Sequence, residues 1–147
     1  MIPSIVPMMQ KHLDEMAEIE QQCFSMPWSR QSLADELVNE FACYFVAEDE
    51  RGSVAGYAGM HLIVDEAYIT NVAVRADCRR MGLATALLTR VLHIAKESNV
   101  RRVTLEVRES NDAARKCYES LGFSPIAVRK GYYIAPNEDA LIYEKTI

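Results

Sequence analysis

One succession of segments constrains the fold more than any other: a strand, a helix and a second strand between residues 68 and 107. Residues 68–74 are rich in β-branched side chains, residues 82–96 carry apolar side chains at helical spacing, and residues 103–107 form a short apolar run. Two strands joined through a helix of this length are parallel, and the crossover is right-handed. The sequence therefore predicts a βαβ unit in the middle of the chain.

The flanking segments add helices and antiparallel strands. Local patterning and turn residues predict helices over 13–24, from Ser29 to about 38 and from Asn111 to Leu121, and strands over 41–47, 54–60, 126–129 and 140–144. The turn at 49–53 makes the first two of these strands an antiparallel hairpin, and Gly122 supplies a left-handed helix stop. We expect one α+β domain over residues 1–147, with a mixed, mostly antiparallel sheet flanked by helices.

Charge and hydropathy exclude several classes of protein. Lys and Arg number 16 against 21 Asp and Glu, a formal net charge of -5, whereas a sequence-independent nucleic-acid binder needs a broad basic face. No segment approaches the roughly 18 to 20 apolar residues of a membrane span, and the amino terminus lacks the pattern of a secretory signal. We expect a cytoplasmic protein, a monomer or weak dimer, that binds neither nucleic acid nor membrane.

The cysteines and histidines form no metal-ligand pattern. The chain has four cysteines without a C-x-x-C pair and three histidines without ligand spacing, which predicts neither a metal site nor a disulfide framework. Cys117 adjoins Tyr118 and is a possible nucleophile for a ping-pong route with a histidine such as His61. Successive helical residues are about 100° apart, however, so Cys117 should face away from Tyr118, and we favour a core position for it.

The first candidate site is the loop at residues 79–84, between the first strand of the βαβ unit and its helix. The first N–H groups of a helix are unpaired and its amino terminus is partly positive, so this position can hold a pyrophosphate. Gly82 allows close approach of a ligand to the backbone. The spacing matches neither G-x-G-x-x-G nor G-x-x-x-x-G-K-[ST]. The alternative is a loop that uses arginine and glycine only for capping.

The second candidate site combines Glu106, Asn111 and Tyr118. Glu106 lies near a strand end among apolar residues, a setting that suits a general base. Asn111 and Tyr118 are seven positions apart, about two helical turns, and so share a helix face. The structural alternatives are Asn111 as a helix cap, Tyr118 as a core aromatic residue, and Glu106 in a surface ion pair with Arg102 or Arg108.

Together these residues carry a family resemblance over residues 5–145. The motifs are Arg79-x-x-Gly82-x-Ala84, Leu105-Glu106-Val107, Asn111 with Ala113-Ala114, and Tyr118-Glu119-Ser120-Leu121-Gly122-Phe123. This pattern resembles the GNAT superfamily of acyl-CoA-dependent N-acetyltransferases. Within this superfamily, the chain looks most similar to RimI-type ribosomal-protein-alanine N-acetyltransferases. Besides the motifs around Glu106, Asn111 and Tyr118, this narrower resemblance includes Tyr132-Tyr133 and Asp139-Ala140.

The resemblance implies a splayed sheet with acetyl-CoA, the acetyl donor, between its two central parallel strands. The implied cofactor-binding residues are Val72, Ala73 and Val74 along the pantetheine, Arg80, Met81, Gly82, Leu83, Ala84 and Thr85 at the pyrophosphate, and Asn111. Glu106 would be the general base, acting through water, and Tyr118 the acid beside the CoA sulfur. Many relatives carry glycine in place of Ala84, but alanine still permits close approach.

The implied acceptor is the amino-terminal alanine of a small-subunit ribosomal protein. An α-amine has a pKa of about 7.7 to 8.0, against about 10.4 for lysine. Deprotonating the amine at pH 7 therefore costs about 1 kcal/mol for an α-amine and about 5 kcal/mol for lysine. Trp28, Tyr132 and Tyr133 could line a peptide groove or simply pack. The alternatives are a GNAT enzyme that acts on lysine, a polyamine or another small amine, and a non-catalytic acyl-CoA-binding module.

Overall fold

The computed structural model describes residues 3–147, so positions 1 and 2 of the predicted domain lie outside the described residues. The strands are β1 Ser4–Pro7, β2 Ala42–Glu48, β3 Val54–Ile63, β4 Glu66–Val74, β5 Arg102–Arg108, β6 Ser124–Tyr133 and β7 Glu138–Thr146. The helices are α1 Leu13–Cys23, α2 Arg30–Leu37, α3 Leu83–Glu97 and α4 Asp112–Ser120. The predicted helices and the βαβ unit are thus confirmed to within a few residues at their ends.

The strands form a single mixed sheet in the order β1-β2-β3-β4-β5-β7-β6. All neighbours are antiparallel except β4 and β5, which are parallel. That parallel pairing covers only Glu66–Tyr68 against residues 102–104, although both strands continue well beyond it. The two strands therefore diverge in the middle of the sheet, and the predicted α+β fold with a splayed parallel pair is confirmed.

Some strands differ from the prediction. β1 was not predicted, because four residues are too few to show a period; its place at the sheet edge tolerates Pro7, which cannot donate a ladder hydrogen bond. β6 and β7 extend beyond 126–129 and 140–144. β6 is an edge strand exposed along nearly its whole length, so its sequence lacks the alternation that marks a half-buried strand.

Helices cover both faces of the sheet. Alternate residues of β2 enter two different apolar clusters: Phe45 packs with the buried side chains of α3, and Tyr44 with those of α1 and α2. Because alternate strand residues point to opposite faces, α3 lies on one face and α1 with α2 on the other. No helix within residues 3–147 has both the length and the apolar character needed to cross a membrane.

Candidate functional site

The divergence of β4 from β5 leaves an open backbone edge beside the predicted pantetheine residues. β4 stays paired with β3 as far as Val74, but beyond Tyr68 its β5-facing edge has no strand partner among residues 3–147. Val72, Ala73 and Val74 lie on this open stretch. Unpaired strand edges bind extended ligands by adding a strand. The Val74 carbonyl already accepts a long contact, 3.4 Å from Arg79 Nε.

A β-bulge and a buried polar network fix the backbone just before this stretch. The β3–β4 register shifts so that Thr70 has no partner, and the Tyr44 hydroxyl lies 2.6 Å from Thr70 Oγ1 and 2.7 Å from Asn71 Oδ1. Glu20 is also buried in this part of the core: it is 1% exposed, and its carboxylate accepts a 2.5 Å hydrogen bond from the Tyr57 hydroxyl. A buried carboxylate needs such donors to remain in the core. The network therefore holds the bulge in place.

The loop before α3 has the geometry of an anion site. Arg80 and Gly82 have positive φ angles of 65° and 73°, and Gly82 is the N-cap of α3 without a side-chain cap. The first helical hydrogen bond runs from the Ala86 N–H to the Gly82 carbonyl, so the N–H groups of residues 83–85 precede it. Nothing lies within 4 Å of a Cβ placed at Gly82, and the first turn of α3 contains no acidic residue. The six predicted pyrophosphate residues are contiguous around this helix start.

Glu106 lies on β5 where the two strands part. Its side chain is 11% exposed, accepts a hydrogen bond from the Tyr68 hydroxyl, and lies 3.8 Å from Arg129 Nη1. The alternative pairing with Arg102 or Arg108 is not observed, since both arginines contact other carboxylates. Glu106 is therefore a largely buried carboxylate that is held by the Tyr68 phenol and by a longer ion pair with the more exposed Arg129.

Tyr68 is the site residue that sequence reasoning missed. It pairs in parallel register with Thr104, two positions before Glu106, which puts Tyr68 and Glu106 on one face of the sheet. Burial raises the pKa of Tyr68, and the hydrogen bond to Glu106 raises it further. Tyr68 therefore remains a neutral donor at physiological pH. The signal was the tyrosine at the start of a predicted central strand, but only the register connects it to Glu106.

Tyr118 packs in the core beside the divergence. Its ring makes edge contacts with Phe123 and Tyr143, at centroid distances of 6.1 and 6.2 Å. Within residues 3–147, every fully buried side-chain polar atom has a hydrogen-bond partner. The Tyr118 hydroxyl makes no hydrogen bond to these residues, so it is not fully buried and stays partly accessible to solvent. Burial raises the pKa of Tyr118. The hydroxyl is therefore an available hydrogen-bond donor and a weak acid.

Asn111 and Cys117 occupy structural positions on α4. Asn111 Oδ1 accepts the Ala114 N–H at 3.2 Å, which makes Asn111 the helix cap; its contact with the cofactor stays a prediction. Cys117 Sγ lies 3.6 Å from Thr85 Oγ1, whereas His61 Nε2 lies 2.7 Å from Glu36 Oε2. Cys117 and His61 therefore do not pair with each other. Residues 3–147 contain no group of three or more His, Cys, Asp and Glu side chains placed to hold a metal ion.

Replacing Cys117 with Ser should leave kcat within about twofold, because direct transfer needs no covalent enzyme intermediate. Steady-state kinetics with varied concentrations of both substrates measure it. Loss of activity together with ping-pong kinetics in the unaltered protein would contradict the expectation.

The three aromatic residues predicted near the acceptor lie on two segments. Tyr132 and Tyr133 end β6 and contact each other edge to face at 5.0 Å. Tyr132 lies beside Tyr68 and contributes to raising its pKa, after burial and Glu106. Trp28 is half-buried between α1 and α2, and its backbone N–H donates to Glu20 Oε1 at 2.8 Å. Tyr132 thus reaches the neighbourhood of the base.

Comparison with known proteins agrees with this geometry. The family model described as Acetyltransferase (GNAT) family matches residues 13–123. A protein of Bacillus subtilis strain 168, named as a candidate ribosomal protein bS18-alanine N-acetyltransferase, is 40% identical over 136 residues, 92% of this chain and 89% of that protein. The ribosomal protein bS18-alanine N-acetyltransferase of Escherichia coli strain K12 is 36% identical over 126 residues, 84% of each chain.

Solved structures give the same result. The crystal structure of the ribosomal-protein-S18-alanine N-acetyltransferase from Escherichia coli superimposes with a TM-score of 0.91 at 34% identity, over 99% of this chain and 94% of that chain. Arabidopsis thaliana NAA60 in complex with acetyl-CoA shares the fold, with a TM-score of 0.90 at 16% identity over 99% and 98% of the two chains.

A splayed α+β sheet with an open strand edge and a helix start beside it defines an acyltransferase of the GNAT type. The chain belongs to the acetyltransferase (GNAT) family. Its predicted resemblance to the RimI-type ribosomal-protein-alanine N-acetyltransferases is also confirmed.

Proposed function

We propose that this chain, as a single cytoplasmic domain, transfers an acetyl group from acetyl-CoA to the α-amine of a protein amino terminus. The preferred acceptor is the amino-terminal alanine of a small-subunit ribosomal protein, because relatives that align over most of their length carry that activity in their names. The observation that carries the proposal is the hydrogen bond from the Tyr68 hydroxyl to the Glu106 carboxylate, at the point where β4 and β5 diverge. The test is the gain in mass of a peptide with a free amino-terminal alanine after incubation with acetyl-CoA and the protein.

The donor side of the site fits acetyl-CoA, which supplies the acetyl group as a thioester. The open edge at Val72, Ala73 and Val74 offers backbone groups to the amides of pantetheine. The start of α3, residues 80–85, offers unpaired N–H groups and the positive end of the helix to the pyrophosphate. The open space around Gly82 admits phosphate oxygens close to the backbone.

Replacing Gly82 with Val should raise the Kd for acetyl-CoA at least tenfold, because the side chain fills the pyrophosphate position. Gly52→Val is the matched control: Gly52 also has a positive φ, 79° against 73°, and open space around it, but lies in the β2–β3 turn. Calorimetric titration measures both variants. A similar rise in Kd for both, or none for Gly82→Val, contradicts this placement of the pyrophosphate.

On the acceptor side, Glu106 is the group that takes the proton from the attacking amine. An α-amine with a pKa near 8 is largely protonated at pH 7, and a single carboxylate suffices to remove its proton as the C–N bond forms. The Tyr68 hydroxyl donates to Glu106 and fixes its orientation. We expect a water molecule to bridge the amine and Glu106.

On the leaving-group side, Tyr118 stabilises the thiolate through a donated hydrogen bond. A phenol of ordinary pKa, about 10, is already a weaker acid than a thiol of about 8.5. Since burial raises the pKa of Tyr118 still further, complete proton transfer to the sulfur is disfavoured. We therefore assign Tyr118 the role of a hydrogen-bond donor, and the thiolate takes its proton from solvent.

A further inference from the structure

The guanidinium of Arg108, at the end of β5, connects two segments that are distant in the sequence. Nη2 donates to Ser25 Oγ at 3.0 Å and to the Ile134 carbonyl at 3.3 Å. Nη1 donates to the Pro136 carbonyl at 3.1 Å and to Glu138 Oε1 at 3.2 Å. We call residues 24–29 the α1–α2 segment and residues 134–137 the β6–β7 turn. One side chain thus bonds to both.

The surroundings of Arg108 make this connection specific. Hydrogen bonds from Ser110, and then from Arg108, lower the pKa of Glu138, so the carboxylate stays charged at neutral pH. The guanidinium also lies 4.4 Å from the centroid of the Tyr133 ring. Arg108 is only 22% exposed, which limits screening by solvent. A planar guanidinium can satisfy several acceptors at once, whereas a lysine ammonium cannot match this geometry.

The two connected segments carry exposed apolar side chains. Phe24 and Met26 on the α1–α2 segment are 39% and 57% exposed, and Ile134 on the β6–β7 turn is 49% exposed. Tyr132, two positions before Ile134 on the chain, is 45% exposed and lies close enough to Tyr68 to raise its pKa. Exposed apolar groups gathered at one place commonly contact a partner. Arg108, which holds both segments, lies two positions after Glu106 on β5 and therefore on the same face of the sheet.

We infer that Arg108 is a positioning residue for the acceptor: it holds the α1–α2 segment against the β6–β7 turn and so shapes the entrance through which an acceptor peptide reaches Glu106. The inference rests on the proposed function, since the entrance serves an amine-bearing peptide. The backbone carbonyl of Arg108 accepts the Asn111 N–H at 3.0 Å, but the hydrogen bonds of its guanidinium go to Ser25, Ile134, Pro136 and Glu138, and none of these is the proposed base or a predicted acetyl-CoA residue. Loss of the guanidinium should therefore weaken acceptor binding without changing donor binding.

The test compares Arg108→Gln, Ser25→Ala and the control Arg102→Gln. Arg102 begins the same strand and is also paired, at 2.6 Å from Glu66, but contacts neither segment. We expect the KM for an alanine-terminated peptide to rise about tenfold in Arg108→Gln and about threefold in Ser25→Ala, the size of one or two lost hydrogen bonds. The kcat and the Kd for acetyl-CoA should stay within about twofold, and Arg102→Gln should resemble the unaltered protein.

Ser25→Ala separates positioning from general stabilisation. It removes the hydrogen bond from Arg108 to the α1–α2 segment and the 3.4 Å hydrogen bond that Ser25 Oγ itself donates to the Ile134 carbonyl, and it leaves the hydrogen bonds of Arg108 to the turn in place. Because the two changes share the Arg108–Ser25 hydrogen bond but Ser25 also donates to Ile134, the KM of the double variant should lie above that of Arg108→Gln and below the product of the two single effects. Melting temperatures measured alongside show whether folding is affected.

The single tryptophan, Trp28, lies in the α1–α2 segment and gives a readout that does not depend on turnover. Acrylamide should quench its fluorescence more strongly in Arg108→Gln and Ser25→Ala than in Arg102→Gln. Unchanged quenching, an unchanged acceptor KM in Arg108→Gln, or an equal rise in the Kd for acetyl-CoA would overturn the inference. Failure of the unaltered protein to acetylate any peptide contradicts the proposed function itself, and with it the acceptor role of Arg108.

Discussion

Replacing Glu106 with Gln should lower kcat about 100-fold, the lower end of what a positioned general base contributes. Glutamine keeps the size of the side chain and an acceptor for the Tyr68 hydroxyl, so the position of Tyr68 is preserved. It cannot take a proton from the amine. The Kd for acetyl-CoA should stay within about twofold, because Glu106 lies outside the proposed donor site.

The pH dependence of this variant tests the role directly. The loss should be largest at low pH, where most of the α-amine is protonated, and should shrink above a pH of about 8, where the neutral amine predominates. Glu109→Gln is the control, since Glu109 is an exposed carboxylate just past the end of the same strand. A kcat equal to that of the unaltered protein would remove Glu106 from the role of base.

Replacing Tyr118 with Phe should lower kcat about 30-fold, because a hydrogen bond to a charged group contributes about 2 kcal/mol. Folding should be nearly unaffected, since phenylalanine keeps the ring contacts with Phe123 and Tyr143 and the hydroxyl has no partner to lose within residues 3–147. Single-turnover rates and the Kd for acetyl-CoA measure the effect. An unchanged kcat with a large rise in Kd would point to a binding role instead.

The neighbouring ring provides the control for Tyr118. Tyr143→Phe removes a hydroxyl that bonds to Arg115 and Glu119, so it should cost stability and leave kcat close to that of the unaltered protein. The pH profile adds a second check. Because burial raises the pKa of Tyr118, its hydroxyl stays protonated, and kcat should not fall between pH values of about 8 and 10 through its ionisation.

Local signals in the sequence predicted much of the fold. Ser29 and Asn111 cap their helices, and Gly122 adopts a φ of 95° at a helix end, as their residue types indicate. The helix between β4 and β5 predicted their parallel pairing. The position of β7 between β5 and β6 depends on contacts far apart in the chain, which no local pattern reports.

Some features of the candidate site could be predicted from local sequence, and others could not. The loop around Gly82 was predicted because a helix amino terminus follows a strand within a few residues. The hydrogen bond between Tyr68 and Glu106 spans 38 positions and depends on the register of two parallel strands. The contact between Arg108 and Ser25 spans 83 positions. Such pairs require the folded structure, although each residue type alone is unremarkable.

The most direct test of the account is a mass measurement after incubation with acetyl-CoA and two peptides. One peptide begins with a free alanine amine and lacks lysine; the other has a blocked amino terminus and a free lysine. We expect the first peptide alone to gain the mass of one acetyl group. Modification of the lysine peptide alone, or acetyl-CoA binding without transfer to either peptide, would contradict amino-terminal acetylation and favour a side-chain or small amine as acceptor, or a non-catalytic acyl-CoA-binding role.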